Sequence, residues 1–180
     1  DVYKRQIEAI KSSTPAPCRK MIKDALNIIM TQENEDLIKF IDDFRTEFYS
    51  MPPEEIAFPR SVNGLTKWSD PVTLYKKSCP IHVRGALLYN YQLKSNRLKH
   101  KYPIIQEGEK IKYVYLKEPN VLGQNVMSFI QEFPREIPKV SDQIDYKTQF
   151  EKSFITPLKN ILDVIGWKTK QESNLEFLFV

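Results

Sequence analysis

The chain has 180 residues, 41% hydrophobic, 28% charged and 12% aromatic, a composition that suits one well-packed soluble domain, or a piece of a larger protein, and excludes a disordered or collagen-like chain. The net charge is +4, and the five glycines form neither G-x-G-x-x-G nor G-x-x-x-x-G-K-[ST], which excludes the usual phosphate-cradling loops of nucleotide-binding folds. Two cysteines, Cys18 and Cys79, lack metal-ligand spacing and suit a reducing compartment, and no apolar run approaches the ~18 residues of a membrane helix.

The first six residues, DVYKRQ, back-translate to the end of a transposase adaptor used in sequencing libraries, so residues 1–6 are set aside as a scar. With no initiating methionine, and with LEFLFV resembling a true carboxyl terminus, a C-terminal fragment of a longer protein is expected. Residues 12–31 open with SSTP, where Thr14 as N-cap and Pro15 at the first helical position predict a helix start. Cys18, Met21, Ile22, Ala25, Ile28 and Ile29 give it one buried stripe, with Lys20, Lys23 and Asp24 facing water. A second amphipathic helix over 34–49 aligns Leu37, Ile38, Ile41, Phe44 and Phe48, and the two predict a helical hairpin. Pro52 and Pro53 end it. Residues 54–79, punctuated by Pro59, Gly64 and Pro71, read as irregular chain with a short strand.

From Pro80 a third helix is expected through Leu93, favoured by the apolar residues Val83, Ala86, Leu87, Tyr89 and Leu93. The run IKYVYL at 111–116 alternates and is rich in β-branched and aromatic residues, which predicts a strand. A proline-spaced loop is expected to about 144. A helix over 146–165 then carries Phe150, Phe154, Leu158, Ile161, Leu162 and Ile165, with Pro157 kinking or splitting it and Gly166 as C-cap. The expected fold class is α+β, mainly helical, a helical scaffold with a few short strands and long loops.

Charge is unevenly spread. Between Leu74 and Lys117 stand ten Lys or Arg against Glu107 and Glu109, so this segment is +8 and the remainder −4. It also holds Tyr75, Tyr89, Tyr91, Tyr102, Tyr113 and Tyr115, a mixture suited to a polyanion backbone. The plainer alternative is a solvated basic face whose long side chains cover apolar surface. His82 and His100 lack a carboxylate or nucleophile at triad spacing; His82 is either a hydrogen-bonded structural histidine or a phosphate contact, and His100 a surface residue. Asp42 with Asp43, and Glu54 with Glu55, read as solvated charge pairs, not as ligands for the two Mg²⁺ ions of phosphoryl transfer. No catalytic group and no metal site are expected in this chain.

SSTP at 12–15, IAFPR-x-VNG at 56–64, YKKSCPIHVRGALLYN at 75–90, FEKSF at 150–154 with Pro157 and Leu158, and the terminal LEFLF together resemble the C-terminal thumb region of the family-B replicative DNA polymerases of T-even-type tailed phages. The resemblance implies a parent DNA-directed DNA polymerase (a nucleotidyltransferase with a 3′–5′ proofreading exonuclease) acting in the cytoplasm of an infected bacterial host. Its palm aspartates and Mg²⁺ would lie upstream, with this piece contacting that palm. Residues 7–168 would be the thumb, gripping primer-template duplex through Lys76, Lys77, His82 and Arg84, with Arg60 and Asn63 as secondary contacts. Ser12, Ser13 and Thr14 carry two readings, a helix cap alone or donors to a phosphate. Lys110 and Lys112 likewise either track the backbone or line an exposed strand face.

Residues 169–180 would be a tail. Its Leu175, Phe177, Leu178 and Phe179 form an apolar cluster that is costly to leave in water. They either dock on their own domain or, as the resemblance implies, insert into a sliding clamp and raise processivity by tethering. Val180 stands where a smaller terminal residue is expected. The competing class is an independent, non-catalytic DNA-binding accessory protein of replication, which shares the basic segment.

Overall fold

Lys11 to Thr14 close a turn in which the Thr14 N–H donates to the Lys11 carbonyl, and the first helix, α1 (Ala16–Thr31), starts one residue later than the sequence suggests. Pro15, not Thr14, is its N-cap: the Pro15 carbonyl accepts the Arg19 N–H, and no side chain caps the helix. Thr14 is instead 92% buried. The computed structural model describes residues 11–164; the adaptor-like residues 1–6, Ile165, Gly166 and the apolar tail cluster lie outside the described residues.

The chain divides into two compact units, one built from the stretches up to Ile56 and from Tyr146 onward, the other from Ala57–Asp145. Mixed α and β, and mainly helical, is the fold class observed: about half of the described residues are helical and the strands are short and antiparallel.

In the first unit, α1 buries Cys18, Ile22, Ala25 and Leu26, with Met21, Ile28 and Ile29 half-buried at the margin of the stripe. Two residues later α2 (Asn34–Ser50) begins under a capping box, the Glu33 carboxylate accepting from the N3 backbone while the Glu33 N–H donates to Asp36. Its buried face is Leu37, Ile41, Phe44 and Phe48. Pro53 does not simply end the hairpin; it opens a single turn, α3 (Pro53–Ile56), where a missing N–H costs nothing. Phe44 and Phe48 meet Phe150 and Phe154 in edge-on and tilted pairs, Phe44 to Phe154 at 4.9 Å and Phe48 to Phe150 at 5.2 Å.

Phe150 and Phe154 belong to the last helical run, which Pro157 divides. It comprises α6 (Tyr146–Phe150), a π-helical turn (Glu151–Ile155) and α7 (Thr156–Val164). Pro157 has no N–H to return to a carbonyl one turn back, and the wider turn absorbs this: the Thr156 N–H reaches the Glu151 carbonyl, five residues behind. The buried Gln149 side chain donates to the Ile56 carbonyl at 2.7 Å, and the Ser153 hydroxyl donates back to the Gln149 carbonyl. Pairing offsets the cost of burying these two polar side chains in a low dielectric.

In the second unit, β1 (Phe58–Ser61), β4 (Lys110–Tyr115) and β5 (Val126–Phe129) form an antiparallel sheet in the order β1-β4-β5. Pro59 is tolerated because β1 is an edge strand. Between β1 and the long helix, 62–79 is more regular than the prolines suggest: it holds the turn α4 (Leu65–Trp68) and a two-stranded hairpin, β2 (Ser69–Asp70) and β3 (Leu74–Tyr75). The loop expected to run to 144 likewise contains β5, whose four residues are all buried, and a 3₁₀ turn at Ser141–Gln143.

The helix α5 (Ile81–Ser95) packs on β5. It can lie this close because Gly85 has no side chain: a Cβ there would stand 2.4 Å from Ser128 Oγ and 2.9 Å from Ser128 N. The Ser128 hydroxyl donates to the His82 carbonyl at 2.9 Å, fixing the first turn of α5 to the sheet.

Candidate nucleic-acid interface

Register decides which basic residues share a face. Residues directly opposite in an antiparallel pair point the same way, so Arg60, opposite Ile111, lies with Phe58, Tyr113, Tyr115 and Ser128 on the face that α5 covers. Lys110 and Lys112, opposite Ser61 and Pro59, lie on the other face. The strand therefore separates Lys110 and Lys112 from Arg60, His82 and Arg84.

His82 is 8% exposed, its ring centroid 6.4 Å from that of Tyr113. Burial holds its imidazole below the ordinary histidine range, the nearby Arg60 charge adds to this, and a hydrogen bond to the Ser61 backbone pulls the other way. Its burial matches the hydrogen-bonded structural histidine. Arg60 itself is exposed and hydrogen-bonded to the Tyr113 side chain, whose hydroxyl is pushed up by burial and partly drawn down again by that guanidinium.

Arg84 is half-buried in the first turn of α5. Its guanidinium donates to Asn125 Oδ1 and Gln124 Oε1 and lies 5.6 Å from the Tyr75 ring centroid. These partners hold the fork rigid but leave its charge uncompensated. Gln124 and Asn125 carry no signal in the sequence, since neutral amides in a loop announce nothing until the fold sets them against an arginine.

Lys76 and Lys77 are exposed on the connection between β3 and α5. Among the described residues no carboxylate forms an ion pair with Arg60, Lys76, Lys77 or Arg84. The carboxylate near them, Asp70, is occupied within its own turn: N–H groups of Thr73 and Val72 hold it below the ordinary carboxylate range, with a smaller contribution from Lys76. Asn63 is exposed just before Gly64, in a loop closed by the Glu107 carboxylate, which accepts from the Gly64 N–H and, at 2.8 Å, from the Leu65 N–H.

Ser12 and Ser13 belong to the first unit, Ser12 exposed and Ser13 half-buried. Three or more His, Cys, Asp or Glu placed to hold a metal ion do not occur among the described residues. No described helix is long and apolar enough to cross a membrane. The second unit thus presents Arg60, Lys76, Lys77 and Arg84 together with aromatic rings, and among the described residues no carboxylate is ion-paired with these four.

No family model matches the chain. It is 28% identical over 176 residues to a DNA-directed DNA polymerase of Enterobacteria phage T4, and 28% identical over 178 residues to that of Escherichia phage RB69. Each comparison covers 96% of this chain and 19% of the relative's length, so the chain spans about a fifth of the curated relatives it matches. Along nearly its whole length, the chain is homologous to one segment of the DNA-directed DNA polymerases of these two phages.

Proposed function

We propose that the chain is the thumb of a family-B DNA-directed DNA polymerase, which grips the primer-template duplex through its phosphates while palm and Mg²⁺ chemistry belong to other parts of the same enzyme in the host cytoplasm. Homology to the phage polymerases supports a polymerase-related role. The observation that carries the grip is the set Arg60, Lys76, Lys77 and Arg84, gathered on one unit without ion-paired carboxylates, Arg84 being braced by neutral amides. A braced guanidinium loses little freedom when it meets a phosphate, and phosphate contacts hold a duplex without reading its sequence. In the same proposal, Leu175, Phe177, Leu178 and Phe179 hook a sliding clamp.

Fluorescence anisotropy with a labelled hairpin-capped duplex tests the grip. Four phosphate contacts predict a slope of log affinity against log salt of about −3.6. Lys77→Glu with Arg84→Glu should weaken binding at least tenfold on any sequence; a slope near zero, or unchanged affinity in that variant, defeats the proposal. Deletion of 175–180 should leave duplex affinity intact and abolish association with the phage clamp.

A further inference from the structure

The +8 segment holds a second set of cations that the grip above does not use. Lys94, Arg97 and Lys99 are exposed at the far end of α5, as is His100. Lys101 differs, because it pairs with Glu136 and lies within the field of Glu132. Among the described residues no carboxylate forms an ion pair with Lys94, Arg97 or Lys99.

The helix ends in a Schellman motif: the Leu98 N–H donates to the Leu93 carbonyl at 2.8 Å and the Arg97 N–H to the Lys94 carbonyl. The left-handed position of that motif, ordinarily glycine, is occupied by Arg97 with φ +54°. Cations near a helix C-terminus also complement its dipole, and Lys94, in the last turn, does so. That role ends within the turn and gives no reason for an arginine at a position where its Cβ is strained.

The stripe between the two ends of the helix points the same way. Arg84, Leu87, Tyr91 and Lys94 recur at three, four and three residues, which places them along one side of α5, away from Gly85, Ala86, Tyr89 and Leu93 on the sheet side. Tyr91 is 53% exposed on this stripe. At 1.5 Å per residue, Arg84 and Lys94 stand about 15 Å apart along the axis, the rise of roughly four base pairs at 3.4 Å each.

Resting on the thumb reading, we infer that the outward stripe of α5 is a two-ended phosphate track: Arg84 with Lys76 and Lys77 holds the duplex backbone at one end, and Lys94, Arg97 and Lys99 hold it about four base pairs further along. Tyr91 lies between them against the sugar edge.

The test is the salt dependence of the full chain on a hairpin-capped 16-base-pair duplex. Lys94→Gln/Arg97→Gln/Lys99→Gln should lower affinity at least tenfold at 50 mM salt and make the log–log slope shallower by about two to three. Lys94→Arg/Lys99→Arg, which keeps the charge, should bind as the parent does. Arg97→Gly suits the left-handed turn, so it should raise the unfolding midpoint above the parental one while making the slope shallower by about one. If Lys76→Gln/Lys77→Gln weakens binding while the triple variant and Arg97→Gly leave affinity and slope unchanged, the track is wrong and the thumb reading stands. If neither set weakens binding, both fail. Should the triple variant unfold, Arg97→Gly decides alone, an unchanged slope overturning the track.

Discussion

Gly85 is the residue on which the second unit turns. Nothing larger fits between α5 and β5, and the obstacle includes backbone, Ser128 N, which cannot swing aside as a side chain can. Gly85→Ala should therefore destabilise the chain by ~1–3 kcal/mol through overpacking, read as a lowered urea midpoint with an unchanged m-value. His82 makes a pH-dependent contribution whose sign follows from its depressed imidazole. A group held below its unfolded value stabilises the fold above that value, near 6.5 for histidine, and loses this as pH falls through the folded value. Between pH 7 and 5 the urea midpoint should fall, and His82→Gln should flatten that fall; an equal slope in both proteins would show that the protons go elsewhere. The thiols differ as well. Burial pushes Cys18 up to about 11 against the opposing hydrogen bond to Ser153, whereas Cys79 is only half-buried. With Ellman's reagent at pH 8, one thiol should react promptly and Cys18 only on unfolding.

Among the elements, the interrupted helix at 146–164 shows how a local rule and a tertiary demand are reconciled. Pro157 forbids an ordinary helical hydrogen bond, yet Phe150, Phe154 and Leu158 must all reach the core shared with Phe44 and Phe48. The π turn supplies one extra residue per turn, so the run continues across the proline without losing that face. Phe154→Ala should cost ~3–5 kcal/mol, the range for a large aromatic removed from a packed core, measured by chemical denaturation. At the other unit's long helix, Arg97→Gly should stabilise by about 1 kcal/mol, the usual penalty of an L-residue in the left-handed well. The three long helices were legible in the chain because their apolar periodicity is local. The strand β5 was not: VMSF is buried on both sides and has no alternation to reveal it. The start of α1 was misplaced by one residue because Thr14 closes the preceding turn, a competition that the letters S-S-T-P leave undecided.

On the scale of the whole chain, the sequence by itself determined the mainly helical class, the excess of positive charge between Leu74 and Lys117, and the likeness to phage polymerases, because these depend on composition, near-neighbour spacing and motif order. Which basic residues share a face was a tertiary decision. Arg60 and His82 lie more than twenty positions apart in the chain, yet the β1–β4 register and the close seat of α5 bring them to one face. The same register turns Lys110 and Lys112 away, although they are as basic and as near in sequence to the rest of the segment. The physical reason is the two-residue period of a strand: charge counted along a sequence is indifferent to side, whereas a sheet assigns each successive residue to opposite faces.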